Sequence, residues 1–188
     1  MTTETITALP QGLTPGTWAI DLAHTDASFT ARHAAVTKVR GSVKVTAGEL
    51  VLGETLADST LTATLDPATV NTGNENRDTH LKSADFFNAE TAEPWTFTST
   101  GVRATGENTY VITGDLTING ITRSVDLDTE FTGVVVDPWG GTRAGAEATV
   151  TVSRKDFGLT WNVALEAGGV LVSDKVVINL DVAAVKQA

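Results

Sequence analysis

Three histidines, His24, His33 and His80, are the chain's candidate metal ligands and proton carriers. Zinc and iron sites in proteins draw on histidine and carboxylate donors held at short, repeated spacings. Here there is no H-x-H and no H-E-x-x-H, and no two histidines lie four apart on one helix. Hydrogen bonding at strand ends, or ion pairing with Asp21 and Asp78, fits these residues better than a metal site. Cysteine is absent, which excludes a thiolate nucleophile, a Cys-ligated zinc and a disulfide framework. No serine sits in a G-x-S-x-G elbow and no carboxylate pair is singled out. The run "KDFG" at 155–158 has no glycine-rich loop or catalytic loop to serve, so it reads as a turn reversed by Asp156 and Gly158. One polar grouping stays open. Arg32, Arg40, Arg77 and His80, if gathered at one end of the fold, could hold a phosphate or other polar headgroup, because guanidinium matches such oxygens in bidentate fashion. Taken singly, each is better read as structural, with Arg77 bracing a helix against the first strand. No catalytic set emerges, and the expectation is a protein that is not an enzyme.

Charge narrows the partners. The formal net charge is −10 and the pI about 4.6. Nucleic-acid phosphates call for a basic footprint, and anionic bilayers for a basic surface. Neither is expected here. No apolar run approaches the ~18 residues that span a bilayer, so the chain does not read as an integral membrane protein. The opening "MTTETITALPQGLTPG" has neither a basic n-region nor an apolar h-region, and the chain as given reads as cytoplasmic. Its 188 residues suit a single domain. Residues 1–14, polar with Pro10 and Gly12, read as a flexible N-terminal arm, and 15–188 as one folded unit without repeat or linker.

The elements that must carry these side chains are mostly strands. Leu61, Ala63 and Leu65 alternate with threonines. Ile112, Leu116 and Ile118 share one parity, as do Ile121, Val125, Leu127 and Phe131. Ala144, Ala146, Ala148, Val150 and Val152 form another set, and Val176, Ile178, Leu180 and Val182 a last one. Successive strand residues face opposite ways, so each set marks one apolar face. Asn119-Gly120 between two such runs is a strong hairpin signal, and 104–108 and 137–142 are further turns. Between Ile20 and Phe29 the parity changes, which requires a bulge or kink near "DLAH". Many antiparallel strands in hairpin order make a sandwich or a closed barrel. Small inward residues favour a barrel with room inside it, unless bulky residues opposite the alanines fill the space.

One stretch breaks the pattern. In "NTGNENRDTHLKSADFF", Thr72 and Glu75 have the spacing of a capping box, predicting a helix over about 73–83. Asp78 and Lys82 are placed to pair at i,i+4. Arg77, His80 and Leu81 share the other face, and Phe86-Phe87 follow as an apolar anchor.

The segment "VNTGNENRDTHLKSADFFNAETAEPWTFTST" resembles the signature of the YceI-like family, the lipocalin-like polyisoprenoid-binding proteins. "WAIDLAHTDASFTARHAAVTKVRGSV" is similar to that family's opening strand, with Thr25 where a serine is common. "VITGDLTINGITRSVDLDTEF" resembles its central hairpin, and "DPWGGTRAGAEATVTVSRKDFGLTWN" its late hairpin and turn. The resemblance covers about residues 17–183. It implies an all-β fold, an extended eight-stranded antiparallel lipocalin-like barrel with one short helix. Its lumen would be lined by Phe29, Leu61, Ala63, Leu65, Phe97, Ile112, Ile118, Val125, Leu127, Phe131, Ala146, Ala148, Val150, Ile178 and Leu180. His24, Arg32, His33, Arg77 and His80 would stand at its mouth or meet a headgroup. The implied partner is a long-chain lipid such as a polyisoprenoid or isoprenoid quinone, sequestered, stored or carried without a cofactor. Members of the family are often dimeric, which implies a homodimer, and often exported, although this chain shows no signal sequence. Two rivals stand beside this reading: an enzyme acting on the head of a lipid or quinone held in the barrel, and a filled β-sandwich serving as an interaction module.

Overall fold

A computed structural model describes residues 8–188. Nine strands are present among them, β1 (Gly16–Ile20), β2 (Asp26–His33), β3 (Thr37–Leu52), β4 (Thr60–Asn71), β5 (Trp95–Ala104), β6 (Thr109–Ile118), β7 (Ile121–Val136), β8 (Thr142–Ser153) and β9 (Lys175–Lys186), with one α-helix, α1 (Glu75–Lys82). Every pairing is antiparallel. β1 and β2 each pair with both β3 and β9, so they occupy one strand position between those two. The sheet therefore closes on itself as an eight-position barrel, and the sandwich reading falls.

The parity change in the first strand is a full interruption at residues 21–25, and a simple bulge would not be enough. Trp18 and Ile20 point inward before it, and Ala27 and Phe29 after it. Asp21 still bonds β9, its N–H donating to the Ala183 carbonyl at 2.8 Å, and the Thr25 hydroxyl exchanges bonds with the Ala183 backbone. The wall stays continuous while the side-chain phase resets.

Two ends follow from the strand register. At one lie the β2–β3 turn, α1, the β6–β7 hairpin and the long segment from 154 to 174 between β8 and β9. Asn119 and Gly120 take positive φ of 52° and 76°, the pairing that suits the twist of a two-residue hairpin. At the other end lie residues 8–16 and the turns at 105–108 and 137–141. Of the arm expected at 1–14, residues 1–7 lie outside the described part. Leu9 and Leu13 pack against the barrel, and Ala8 bridges Thr55.

The helix is shorter than its sequence suggests and is capped differently. Asn74 is the N-cap, its side chain accepting from the Arg77 N–H at 3.0 Å. Thr72 does not form the expected box with Glu75. Its N–H and hydroxyl both donate to Asp78, which is thereby turned away from Lys82. Asn is at least as good a cap as Thr, and Asn74 sits two residues closer to the first helical N–H groups.

Candidate functional site

The barrel interior divides into two apolar clusters. One, at the end near residues 8–16, is built on Trp18, Ile20, Leu52 and Ala184, with Leu9, Leu13, Val134 and Ala144 packed on it. Trp18 is fully buried, and its indole N–H donates to the Thr14 carbonyl at 3.1 Å. The other cluster surrounds a cavity of about 230 Å³ that extends from the middle of the barrel to the helix end. Its lining is almost wholly apolar.

Strand parity explains how the cavity stays open. Val176, Ile178, Leu180 and Val182 line it from β9, Val150 and Val152 from β8, Val125 and Leu127 from β7, Leu116 and Ile118 from β6, and Leu61, Ala63 and Leu65 from β4. Two phenylalanines lie against the wall on glycine seats. A Cβ at Gly114 would meet the Phe97 ring at 2.3 Å, and one at Gly41 would meet Phe29 at 2.5 Å. The rings thus line the lumen where larger neighbours would drive them into it. Segment 83–94 closes part of the helix end with Phe86 and Phe87. It is fastened to the hairpin by the Asn119 side-chain amide, which donates to the Phe86 carbonyl at 2.8 Å. Phe87 meets Trp95 edge-on at 4.7 Å, and the Trp95 indole N–H, buried in the wall, has no hydrogen-bond partner.

Of the fifteen expected lining residues, Phe29, Leu61, Ala63, Leu65, Phe97, Ile118, Val125, Leu127, Val150, Ile178 and Leu180 surround this cavity. Ile112, Phe131, Ala146 and Ala148 do not. Ala146 pairs in the register with Phe131 of β7, and Ala148 lies between Thr129 of β7 and Leu180 of β9, so the alanine row is flanked in the sheet by larger side chains. Ile112 and Ala148 pack behind the lining, and Ala148 also borders a separate polar hollow of about 420 Å³ across β6 to β9.

The expected mouth residues are scattered. His24 lies in the strand interruption, toward the filled end. Its Nδ1 meets Asp21 at 2.8 Å, and Asp21 also receives Arg143, which in turn reaches Asp137 at 2.7 Å. The Arg143 guanidinium, followed by His24, holds the Asp21 carboxyl down at about 2. This network staples the interruption to the start of β8. Arg32 and His33 end β2 at the helix end, where their backbones bond Ser173 and bridge Val172 while their side chains face out. Arg40 is exposed on β3. Arg77 folds back on its own helix cap, bonding the Thr72 hydroxyl at 2.7 Å and carbonyl at 2.9 Å. His80 meets Asp85 at 2.9 Å, where Asp78 was expected, and stands edge-on between Phe86 and Trp161 at 5.1 and 4.6 Å. From this helix it is Leu81 that reaches the lumen. Among the described residues no group of three or more His, Asp or Glu is placed to hold a metal.

The charged side chain in the wall is one the motif reading passed over. Arg154 is 4% exposed and borders the lumen. Its Nε and one terminal nitrogen donate to the carbonyls of Ser173, Leu159 and Trp161 at 2.9–3.0 Å, and the other nitrogen reaches Val172 at 3.5 Å. Burial lowers its pKa from the usual guanidinium range, with the charge of Asp174 opposing that shift. One arginine thus gathers the carbonyls of the 159–173 segment over the barrel end. The signal was in the parity: Arg154 continues the inward set of Val150 and Val152.

A closed eight-position antiparallel barrel with an apolar hollow and one short helix is a lipocalin-like fold. The chain belongs to the YceI-like family, whose domain model matches residues 18–184. It is 42% identical over 159 residues to a UPF0312 protein of Staphylococcus aureus strain N315, covering 83% of this chain and 90% of that one. A UPF0312 protein of Ectopseudomonas mendocina is 49% identical over 102 residues, and there the match spans 54% of this chain and 53% of its relative. Among solved structures, the YceI protein of Campylobacter jejuni is 28% identical with a TM-score of 0.67, over 84% of this chain and 90% of that one. A polyisoprenoid-binding domain from Saccharophagus degradans shares the fold at 14% identity and a TM-score of 0.65, over 90% of this chain and 98% of that one.

Proposed function

We propose that this protein binds a long-chain lipid, such as a polyisoprenoid or isoprenoid quinone, in its barrel lumen and performs no chemistry on it. The observation that carries this reading is the apolar cavity of about 230 Å³, walled by alternate residues of almost every strand position. Each methylene moved from water into such a wall contributes about 0.8 kcal/mol. Ordering the chain and fixing its position offset much of that gain, so binding needs many methylenes and favours long chains. The polar groups around the lumen support binding over catalysis. Arg154 is committed to backbone carbonyls, and Arg77 to its helix cap. Storage or transport of the lipid, with the helix end as the side of entry, is consistent with the filled opposite end.

The test is direct titration of delipidated protein with an isoprenoid alcohol, followed by calorimetry, beside a variant whose lumen is filled by Leu180→Trp. Saturable binding to the parent and none to the variant, with both folded, is the expected result. Equal binding to both would place the ligand elsewhere, and a turnover product would favour an enzyme.

A further inference from the structure

The net charge of −10 is unevenly placed. From Ala27 to Gly48 the chain carries Arg32, Lys38, Arg40 and Lys44, one histidine and no carboxylate. The first three lie on β2 and β3 toward the helix end. Arg32 and Lys38 are paired in the register and both exposed, and Lys175 is exposed at the start of β9, the other neighbour of β2. Like charges placed opposite one another on a sheet destabilise it. Among the described residues no carboxylate forms an ion pair with any of these side chains.

The same place exposes apolar surface. The β2–β3 turn is Ala34-Ala35-Val36, and Val36 is 76% exposed. Ala34 and Ala35 take φ of 50° and 58°, where glycine or asparagine sits more easily, so turn geometry does not account for an apolar tip. Beside it residues 163–171 form a small hairpin. The Leu171 N–H donates to the Val163 carbonyl at 2.9 Å, and the Leu165 N–H to the Gly169 carbonyl at 3.1 Å. The Ala34 N–H joins turn to hairpin by donating to the Leu171 carbonyl at 2.7 Å. Val163 and Val170 are about half exposed, and the hairpin's one charge is Glu166. Two residues after Val170, Val172 lines the lumen, so this strand carries apolar side chains from the exposed tip to the cavity wall.

The opposite end also exposes apolar groups, Val135, Val136 and Trp139. Charge separates the two ends. Beside Trp139, Asp21 and Asp137 share Arg143, and Glu130, Glu147 and Asp181 form one cross-strand row further along the barrel. At the helix end, Asp174 is occupied by the Ser153 hydroxyl and the Lys155 N–H, leaving Asp156 and Glu166 as the exposed carboxylates of the 154–174 segment. Residues 75–94 carry more carboxylates than cations, so the basic face is centred on the β2–β3 turn and not on α1. An apolar tip rimmed by cations fits an anionic bilayer, where apolar side chains enter the headgroup region and lysine and arginine meet phosphates.

We propose that the β2–β3 turn and the 163–171 hairpin dock on an anionic lipid bilayer, with Val36, Val163 and Val170 entering the headgroup region and Arg32, Lys38, Arg40 and Lys175 meeting lipid phosphates. The use of that docking, passing lipid between bilayer and lumen, rests on the lipid-binding reading.

The test is flotation of the full chain with vesicles of phosphatidylcholine, alone or with about one third phosphatidylglycerol, at low and high salt. The parent should float with the anionic vesicles only and come off at high salt. Each cation near such a surface strengthens binding about five-fold, so Lys38→Gln with Arg40→Gln should weaken it about twenty-five-fold. Val36→Asp with Val170→Asp should abolish it, and Trp139→Ser, at the other end, should change nothing. Every substituted side chain is exposed, and circular dichroism checks that each variant is folded. If the double valine variant does not fold, the charge variant and the salt response decide the matter. No flotation on anionic vesicles, equal flotation on neutral ones, undiminished flotation of the folded variants, or loss through Trp139→Ser overturns the docking face. So does a dimer in sedimentation velocity that Val36→Asp with Val170→Asp dissolves, because a second copy would then cover the tips. Titration of an isoprenoid alcohol without vesicles separates the two readings. Uptake by a chain that ignores anionic vesicles overturns docking alone, and flotation without uptake upholds docking and removes lipid binding.

Discussion

The two halves of the barrel are made of the same alternating strands, yet one is filled and the other hollow. In the filled half Trp18 is fully buried and meets Leu52, Ala184 and the 8–14 segment. In the hollow half many lining residues, Phe29, Leu61, Ala63, Val125, Ile178 and Leu180 among them, are only partly buried, because one side of each faces open space. Alternation alone therefore makes a barrel. Whether its centre is packed depends on side-chain size at single positions and on where glycines let rings lie flat against the wall. The filled half supplies rigidity, and the hollow half keeps apolar surface available for a guest.

The sharpest way to break this comparison is to truncate one residue in each half. Trp18→Ala removes a fully packed ring and should cost about 3–5 kcal/mol. Ile178→Ala, in a wall already open on one side, should cost about 1–2 kcal/mol. Chemical denaturation of both variants checks this, and equal losses would mean that the hollow is packed in solution. Next in size is Arg154→Met, which leaves three well-bonded carbonyls of the 159–173 segment without their donor. Each buried unpaired acceptor costs about 1–3 kcal/mol, so a loss near 3 kcal/mol and faster hydrogen exchange in that segment are expected. An unchanged exchange pattern would show that Arg154 does not organise the 159–173 segment.

The smallest effect belongs to the staple at the strand interruption. Asp21 is held at about 2, below its ordinary 3.8, chiefly by Arg143. A carboxylate with a lowered folded-state pKa stabilises above its unfolded value and loses that contribution as pH falls through the folded one. Asp21→Asn should therefore lower Tm slightly at pH 7, with the difference from the parent fading between about pH 4 and pH 2. A Tm difference that persists at pH 2 would assign the effect to packing.

Much of the fold was legible because it depends on local pattern. The parity sets, the Asn119-Gly120 turn and the phase change after Ile20 each describe one strand and its neighbour. The lumen was legible in part for the same reason, since parity says which residues face inward. It does not say where along the barrel the hollow lies, which is why Ala146 and Ala148, flanked in the sheet by Phe131, Thr129 and Leu180, were expected at the cavity and stand outside its lining. The mouth residues were harder still. Arg77 and His80 were grouped by helical spacing, but each found a nearby polar partner, Thr72 and Asp85, at short range. Arg154 was hidden by a turn motif although its parity matched Val150 and Val152. Side-chain hydrogen bonds within five or six residues are settled by backbone geometry that spacing does not reveal.

The central claim, that the hollow half holds an apolar chain, is tested most directly by native mass spectrometry of gently purified protein beside Ala63→Trp, which would project a ring into the cavity. Filling a hollow costs less than overpacking a full core, where about 1–3 kcal/mol is lost. The account predicts one apolar-chain compound bound per parent chain, and none on an Ala63→Trp variant whose Tm holds or rises. A parent that carries no such compound and takes up none when offered it, or a variant that binds as well as the parent, would contradict it.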